Sequence, residues 1–118
     1  MYSIDYFVDM YKKEFPNKIH KVDRHIELNG IFLGHVFFDE EICGPLCRLF
    51  RETESSNDIE SFVKIIELML LEGDDYVKSV VVINILNTIK NDKDIVETAM
   101  EYFSDDTIET LRLSSDLQ

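Results

Sequence analysis

The sequence predicts an all-α domain, a compact bundle or HEAT-like stack of helix hairpins with six or seven helices and one short extended segment near residues 31–38. Three observations carry this. Apolar residues recur at helical spacing in five separate windows. The stretch Tyr76 to Ile89 carries Tyr76, Val77, Val80, Val81, Val82, Ile83, Ile85, Leu86 and Ile89, which on a helical period point in nearly every direction, as in a central helix wrapped by others. From Asn57 onward the joints between helical windows are two to four residues, as in antiparallel hairpins. No repeat of fixed period is visible, so a true solenoid is not expected.

Taken in order, Ser3 is placed to cap a first helix with the stripe Ile4, Phe7, Val8, Tyr11 and Phe15, and Pro16 ends it. Asn17 is the expected cap of a second helix with a thin seam of Ile19, Val22 and Ile26, while Lys18, Lys21 and Arg24 face water. Asn29-Gly30 stops it, the glycine supplying the left-handed position. Ile31 to Phe38 is apolar, aromatic-rich and flanked by glycines, and reads as extended, a short strand tucked across the helices. Asp39 is the expected cap of a third helix, with Glu40 and Glu41 complementing the dipole of its first turn and Ile42, Leu46, Leu49 and Phe50 facing inward. Gly44-Pro45 sits inside that helix, which is expected either to kink there or to restart with Pro45 in its first turn.

Glu52 to Asn57 reads as a polar loop, after which Asn57 or Asp58 caps a fourth helix through Phe62, Ile65, Ile66, Met69 and Leu70, ending at Gly73. Asp74 or Asp75 caps the central helix. The run Val80-Val81-Val82-Ile83 suits a strand on propensity alone, but the segment is too long for one and its polar residues do not alternate. Asn91-Asp92 closes this helix and opens the next, whose apolar face is Ile95, Val96, Ala99, Met100 and Phe103. Asp105 is the expected cap of a last short helix carrying Ile108 and Leu111, and Ser114 to Gln118 is expected to fray.

At 118 residues the chain reads as one domain, 1–118, able to bury roughly 65% of the surface its unfolded form exposes without metal or disulfide. Acids outnumber bases 24 to 12, for a net charge of -12, and the excess is uneven. Residues 1–30 hold five Lys/Arg against five Asp/Glu, and residues 31–118 hold seven against nineteen. Such a field argues against nucleic acid or an anionic membrane surface as partner and favours basic proteins. Solubility alone would account for the same excess. Met1 to Met10 contains Asp5 and Asp9 and lacks the pattern of a signal peptide, and the apolar-rich window Phe62 to Leu71 is too short to span a bilayer. Cys43 and Cys47 lie four apart on a predicted helix, where a disulfide would close almost no loop. They fit reduced thiols, and the expected location is cytoplasmic.

Few groups carry chemistry. A zinc site would need His20 and His25 to converge with Cys43 and Cys47, but the histidines are five apart, off the spacing that shares a helix face. Surface histidines and core cysteines are the expectation. His35 could serve as a general base with Asp39 nearby; a buried histidine tying down the extended segment accounts for it more simply. Paired acids at Asp39-Glu40-Glu41, Asp74-Asp75, Asp92 with Asp94, and Asp105-Asp106 all fall at predicted helix starts, where capping explains them. No calcium loop, di-iron motif, phosphate loop or serine elbow is present. The sequence gives no positive support for an enzyme, and no metal or cofactor is expected.

The motif His35-Val36-Phe37-Phe38-Asp39, and Glu72-Gly73-Asp74-Asp75 preceding Val77 to Ile85, resemble an uncharacterised family of small acidic bacterial helical proteins that look like the immunity proteins of toxin systems. Gly44-Pro45 departs from that pattern, which leads one to expect an uninterrupted third helix. The resemblance implies an intracellular, cytoplasmic protein that neutralises a cognate toxin by binding it, and the chain's acidic field makes a basic toxin the expected one. A helical scaffold or adaptor of unknown partner is the alternative, followed by a small enzyme using His35. The expected contact set is the exposed helix-start acids Asp74, Asp75, Asp92, Asp94, Asp105 and Asp106.

Overall fold

The first apolar stripe winds into α1 (Ile4–Glu14) in the computed structural model, which describes residues 1–52 and 56–114. Phe7, Val8 and Tyr11 face the core, and Ser3 occupies the cap position without a side-chain hydrogen bond. Ahead of α1, the Tyr2 amide donates to the Glu72 carbonyl (2.7 Å) and the Tyr2 carbonyl accepts from the Asp74 amide (2.8 Å), which pins the chain's start to a turn seventy residues away. That isolated bridge is the only strand-like pairing among the described residues.

A 3-10 turn, Pro16–Lys18, leads into α2 (Ile19–Asn29), so Lys18 and not Asn17 stands at the cap. Gly30, at φ 76°, ends α2 as expected. The seam differs from the expected one. Ile19 and Ile26 are 39% and 41% exposed, and the buried residues of α2 are Val22 and His25. His25 is therefore no surface histidine. Its Nε2 accepts the Leu33 amide at 3.0 Å and its carbonyl accepts from the Asn29 side chain at 2.8 Å, with Phe32 and Phe37 edge-on to the ring. The ring thereby satisfies a backbone donor in the turn that folds over it.

The expected extended segment is confined to residues 31–33. Gly34–Phe38, Asp39–Cys43 and Gly44–Arg51 run on as one helix, α3, residues 34–51. Two readings are corrected here. The His35-Val36-Phe37-Phe38 motif forms the first turn of α3, and Asp39 lies in its interior instead of capping it. Gly34 is a point of close approach and not a helix break, since a Cβ there would stand 2.7 Å from the Tyr76 hydroxyl. Asp39–Cys43 is a wide π turn, closed by the Gly44 amide on the Asp39 carbonyl five residues back. Proline crowds the carbonyl four residues before it and offers no N–H. The wide turn just before Pro45 gives that ring room, and Cys43 and Gly44 keep helical angles, so the helix does not restart.

Helix α4 (Asn57–Glu72) is capped by Ser56, whose hydroxyl accepts the Asp58 amide at 3.1 Å, and not by Asn57 or Asp58. Of the two expected candidates, Asp74 and not Asp75 caps the central helix α5, accepting the Val77 amide at 2.9 Å. Helix α5 spans residues 75–90 through Asp75–Ser79, the π turn Val80–Leu86 and Asn87–Lys90. It is not covered all round. Val77, Val80, Val81, Ile85, Leu86 and Ile89 are fully buried, whereas Ile83 and Tyr76 are 54% and 45% exposed.

Helix α6 (Val96–Tyr102) buries Ala99, flanked by buried Ile95 and Phe103. Helix α7 (Asp105–Leu113) is capped by Ser104, which accepts the Thr107 amide at 3.3 Å, and not by Asp105. Ser114, expected to fray, is buried and donates its hydroxyl to the Leu111 carbonyl at 2.7 Å. Residues 115–118 and the middle of the predicted loop, 53–55, lie outside the described residues. The seven helices enclose a core dense in rings at one end, where Tyr11 meets Phe15 and Phe37, and Phe15 stacks on Phe62 at 4.7 Å. The fully buried Tyr11 hydroxyl has no hydrogen-bond partner among the described residues; burial and the nearby Glu41 charge push its pKa up.

Candidate protein-docking trough

The groups with catalytic chemistry are built into the packing. His35, on the first turn of α3, sits 2.5 Å from the Asn84 side-chain amide through Nδ1 and edge-on to Tyr76. It ties the start of α3 to α5; the ring is partly exposed where a buried histidine was expected, and the segment it secures is helical. Cys43 and Cys47 are buried with sulfurs 4.0 Å apart, and Cys43 also donates to the Asn84 carbonyl at 3.7 Å. The sulfur contact and burial push the Cys43 thiol up, away from the reactive thiolate. The same Asn84 carbonyl accepts the Thr88 hydroxyl at 2.6 Å. The π turns of α3 and α5 thus meet across a polar bridge of Cys43, Asn84 and Thr88. His20 is exposed on α2, apart from the cysteines, and among the described residues no group of three or more His, Cys, Asp or Glu could hold a metal.

The helix-start acids do not form one surface. Asp74 and Asp75 stand at the start of α5, and Asp92 and Asp94 just past its end, about 24 Å away along a 16-residue helix. Asp74 and Asp92 are also engaged, the first as a cap, the second pairing with Arg51 and accepting the Asp94 amide at 3.1 Å. Asp105 and Asp106 lie exposed in the first turn of α7. Of the six, Asp106 alone lines a cleft described here.

Where the structure gathers acid around apolar surface is along the outer face of α4. A groove of about 580 Å³ runs between α4 and the end of α6, lined by Glu60, Val63, Lys64, Glu67 and Leu68 on one side and Glu101 and Tyr102 on the other. A second cleft of about 250 Å³, between Glu67, Leu70 and Leu71 of α4 and Ser104, Asp106, Thr107 and Thr110, continues from it through Glu67. Together they form a trough from Glu60 to Leu71, about 17 Å of helix. Residues 60, 64, 67, 68 and 71 fall on one face by helical spacing, with Leu71 itself 71% exposed.

Glu67 stitches the trough's two walls together. Its Oε2 accepts the Ser104 amide at 2.8 Å and the Thr107 hydroxyl at 2.7 Å. Burial opposes its ionisation, but these bonds together outweigh it and hold the carboxyl below the usual range. Lys64, the one cation of the lining, is paired with Glu14 of α1 at 2.6 Å, which offsets its charge. The lining is thus carboxylate over aliphatic and aromatic surface. A third cleft of about 420 Å³, between α2 and α3, mixes signs, with Lys21 and Arg24 facing Glu40 and Glu41, and Lys21 bridged to Glu41 at 3.4 Å.

Sequence reasoning missed the trough because its residues come from windows forty positions apart. The available signal was Glu60, Lys64 and Glu67 breaking the apolar pattern of α4 on a single face. No helix among the described residues is long and apolar enough to cross a membrane. The chain matches no family model, and no curated protein or solved structure is significantly similar to it.

Proposed function

We propose that this chain is an immunity-type binding protein that neutralises a basic bacterial toxin by occupying its surface. The observation that carries the reading is the charge of the α4 to α7 half. Residues 56–114 bear thirteen carboxylates against five cations, with Glu60, Glu101, Asp105 and Asp106 among the exposed ones. A field of one sign over one part of the surface raises the encounter rate with an oppositely charged protein and disfavours polyanions. Buried His25, partly buried His35 and the buried thiols are held in packing contacts, which supports binding over chemistry as the activity.

The test is the protein encoded by the reading frame adjoining this one, expressed and presented to the purified chain. Capture of a basic protein is expected, with an association rate that falls as salt shortens the Debye length to about 8 Å. Failure to capture the neighbour, or an association rate indifferent to salt, would overturn the neutraliser and leave a scaffold with an uncharged interface.

A further inference from the structure

We infer that the trough along α4 is the docking surface, and that its occupant is a single amphipathic helix of the partner, basic on the face flanking its apolar stripe. The inference rests on the basic-partner reading and names the part of the surface that serves it.

Geometry selects the occupant. The trough is walled by α4 on one side and by the α6–α7 corner on the other; its α4 wall extends about three helical turns, ~17 Å, with the Glu67 carboxyl bonded across it between the two clefts. Its apolar lining is Val63, Leu68, Leu70, Leu71 and Tyr102, and its rim is Glu60, Glu101 and Asp106. An amphipathic helix laid in such a groove presents anchors at i, i+4 and i+7 to the apolar lining, and its flanking positions meet the rim. Lysine and arginine suit those flanks doubly. Their aliphatic stems cover apolar surface while the charged heads reach carboxylates at the edge. The rim carboxylates are exposed and have no cation of the chain paired with them among the described residues. A partner cation gains them without breaking an internal ion pair. The α2–α3 cleft does not offer this, because its Lys21 and Glu41 already pair.

The probe is a fluorescent peptide of leucine and lysine spaced to form an amphipathic helix, with a second peptide of the same composition in scrambled order, read by anisotropy at low salt. The full chain should bind the first more tightly than the second. Glu60→Lys with Glu101→Lys should weaken that binding about tenfold or more. Asp9→Lys with Glu27→Lys, an equal change of net charge on α1 and α2, should weaken it far less. Circular dichroism of both double variants verifies that they fold. Equal weakening by the two pairs, or equal binding of the two peptides, overturns the trough while the basic-partner reading stands. No binding of either peptide by the wild-type chain overturns both.

Discussion

Glu67 shows how one side chain can be invisible in a sequence and central in a fold. In the linear chain it merely interrupts an apolar window. Folded, it accepts from Ser104 and Thr107, 37 and 40 positions later, and fixes the start of α7 against α4. His25 is a parallel case, since its value lies in meeting the Leu33 amide across a turn, and spacing arguments for metal ligands do not test that. Caps act within four residues, yet the sequence locates them only to a neighbourhood, because adjacent polar residues compete for each cap. Asp74 is one of the two acids the sequence offers for its helix, while Ser56 and Ser104 cap where the sequence points to adjacent Asn57, Asp58 and Asp105. Because the folded state holds Glu67's pKa down, its ionised form contributes stability fully above the ordinary glutamate value of about 4.3, and the contribution is lost as pH falls through the lower folded value. Glu67→Gln is accordingly expected to be less stable than wild type at neutral pH, the gap narrowing in acid. Urea midpoints for both proteins across that range check it, and a constant gap would mean the carboxylate's charge is not the cause.

At the scale of elements, two long helices depart from the ordinary helical period. The buried positions of α3 include 34, 38, 42, 46 and 50, and those of α5 include 77, 81, 85 and 89, a repeat of four running through each buried face alongside Phe37, Cys43, Cys47, Val80 and Leu86. On an ordinary helix such a repeat drifts by about 40° per step and would carry the stripe off the core. A π turn in each helix widens the winding and brings the stripe back. At the ordinary period α5 looks apolar all round; Ile31 to Phe38 looks extended for a different reason, its glycines and aromatics, and Gly34 proves to be a helical close approach to Tyr76. The corrected phase separates two neighbours. Leu86, fully buried, should cost about 2 to 5 kcal/mol on truncation to alanine. Ile83, 54% exposed, should cost under about 1 kcal/mol. Urea melts of the two variants measure both, and equal losses would contradict the widened turn.

For the whole molecule the fold class followed from periodicity, while the trough did not, since it arises only when α4 meets a corner made forty residues later. Charge is the other global property, and it bears on stability. The cross-helix ion pairs, Lys21 with Glu41, Arg51 with Asp92 and Lys64 with Glu14, all have partly exposed members, and such pairs are worth at most about 1 kcal/mol each. Against them stands a net charge of -12 held within a radius of gyration of 13.6 Å. At about 0.01 M salt the Debye length, near 30 Å, is comparable to the molecule's 36 Å long axis, so each carboxylate is repelled by nearly all the others. At about 0.15 M it is near 8 Å, and the repulsion shrinks to close neighbours while contact ion pairs, at hydrogen-bond range, are weakened less. Self-repulsion is larger in the compact state than in the expanded unfolded chain, so screening favours folding. The melting temperature is therefore expected to rise with sodium chloride over this range. A melting temperature that falls would mean the ion pairs outweigh the repulsion and that the acidic face is internally compensated, which would remove the basis for a basic partner as well.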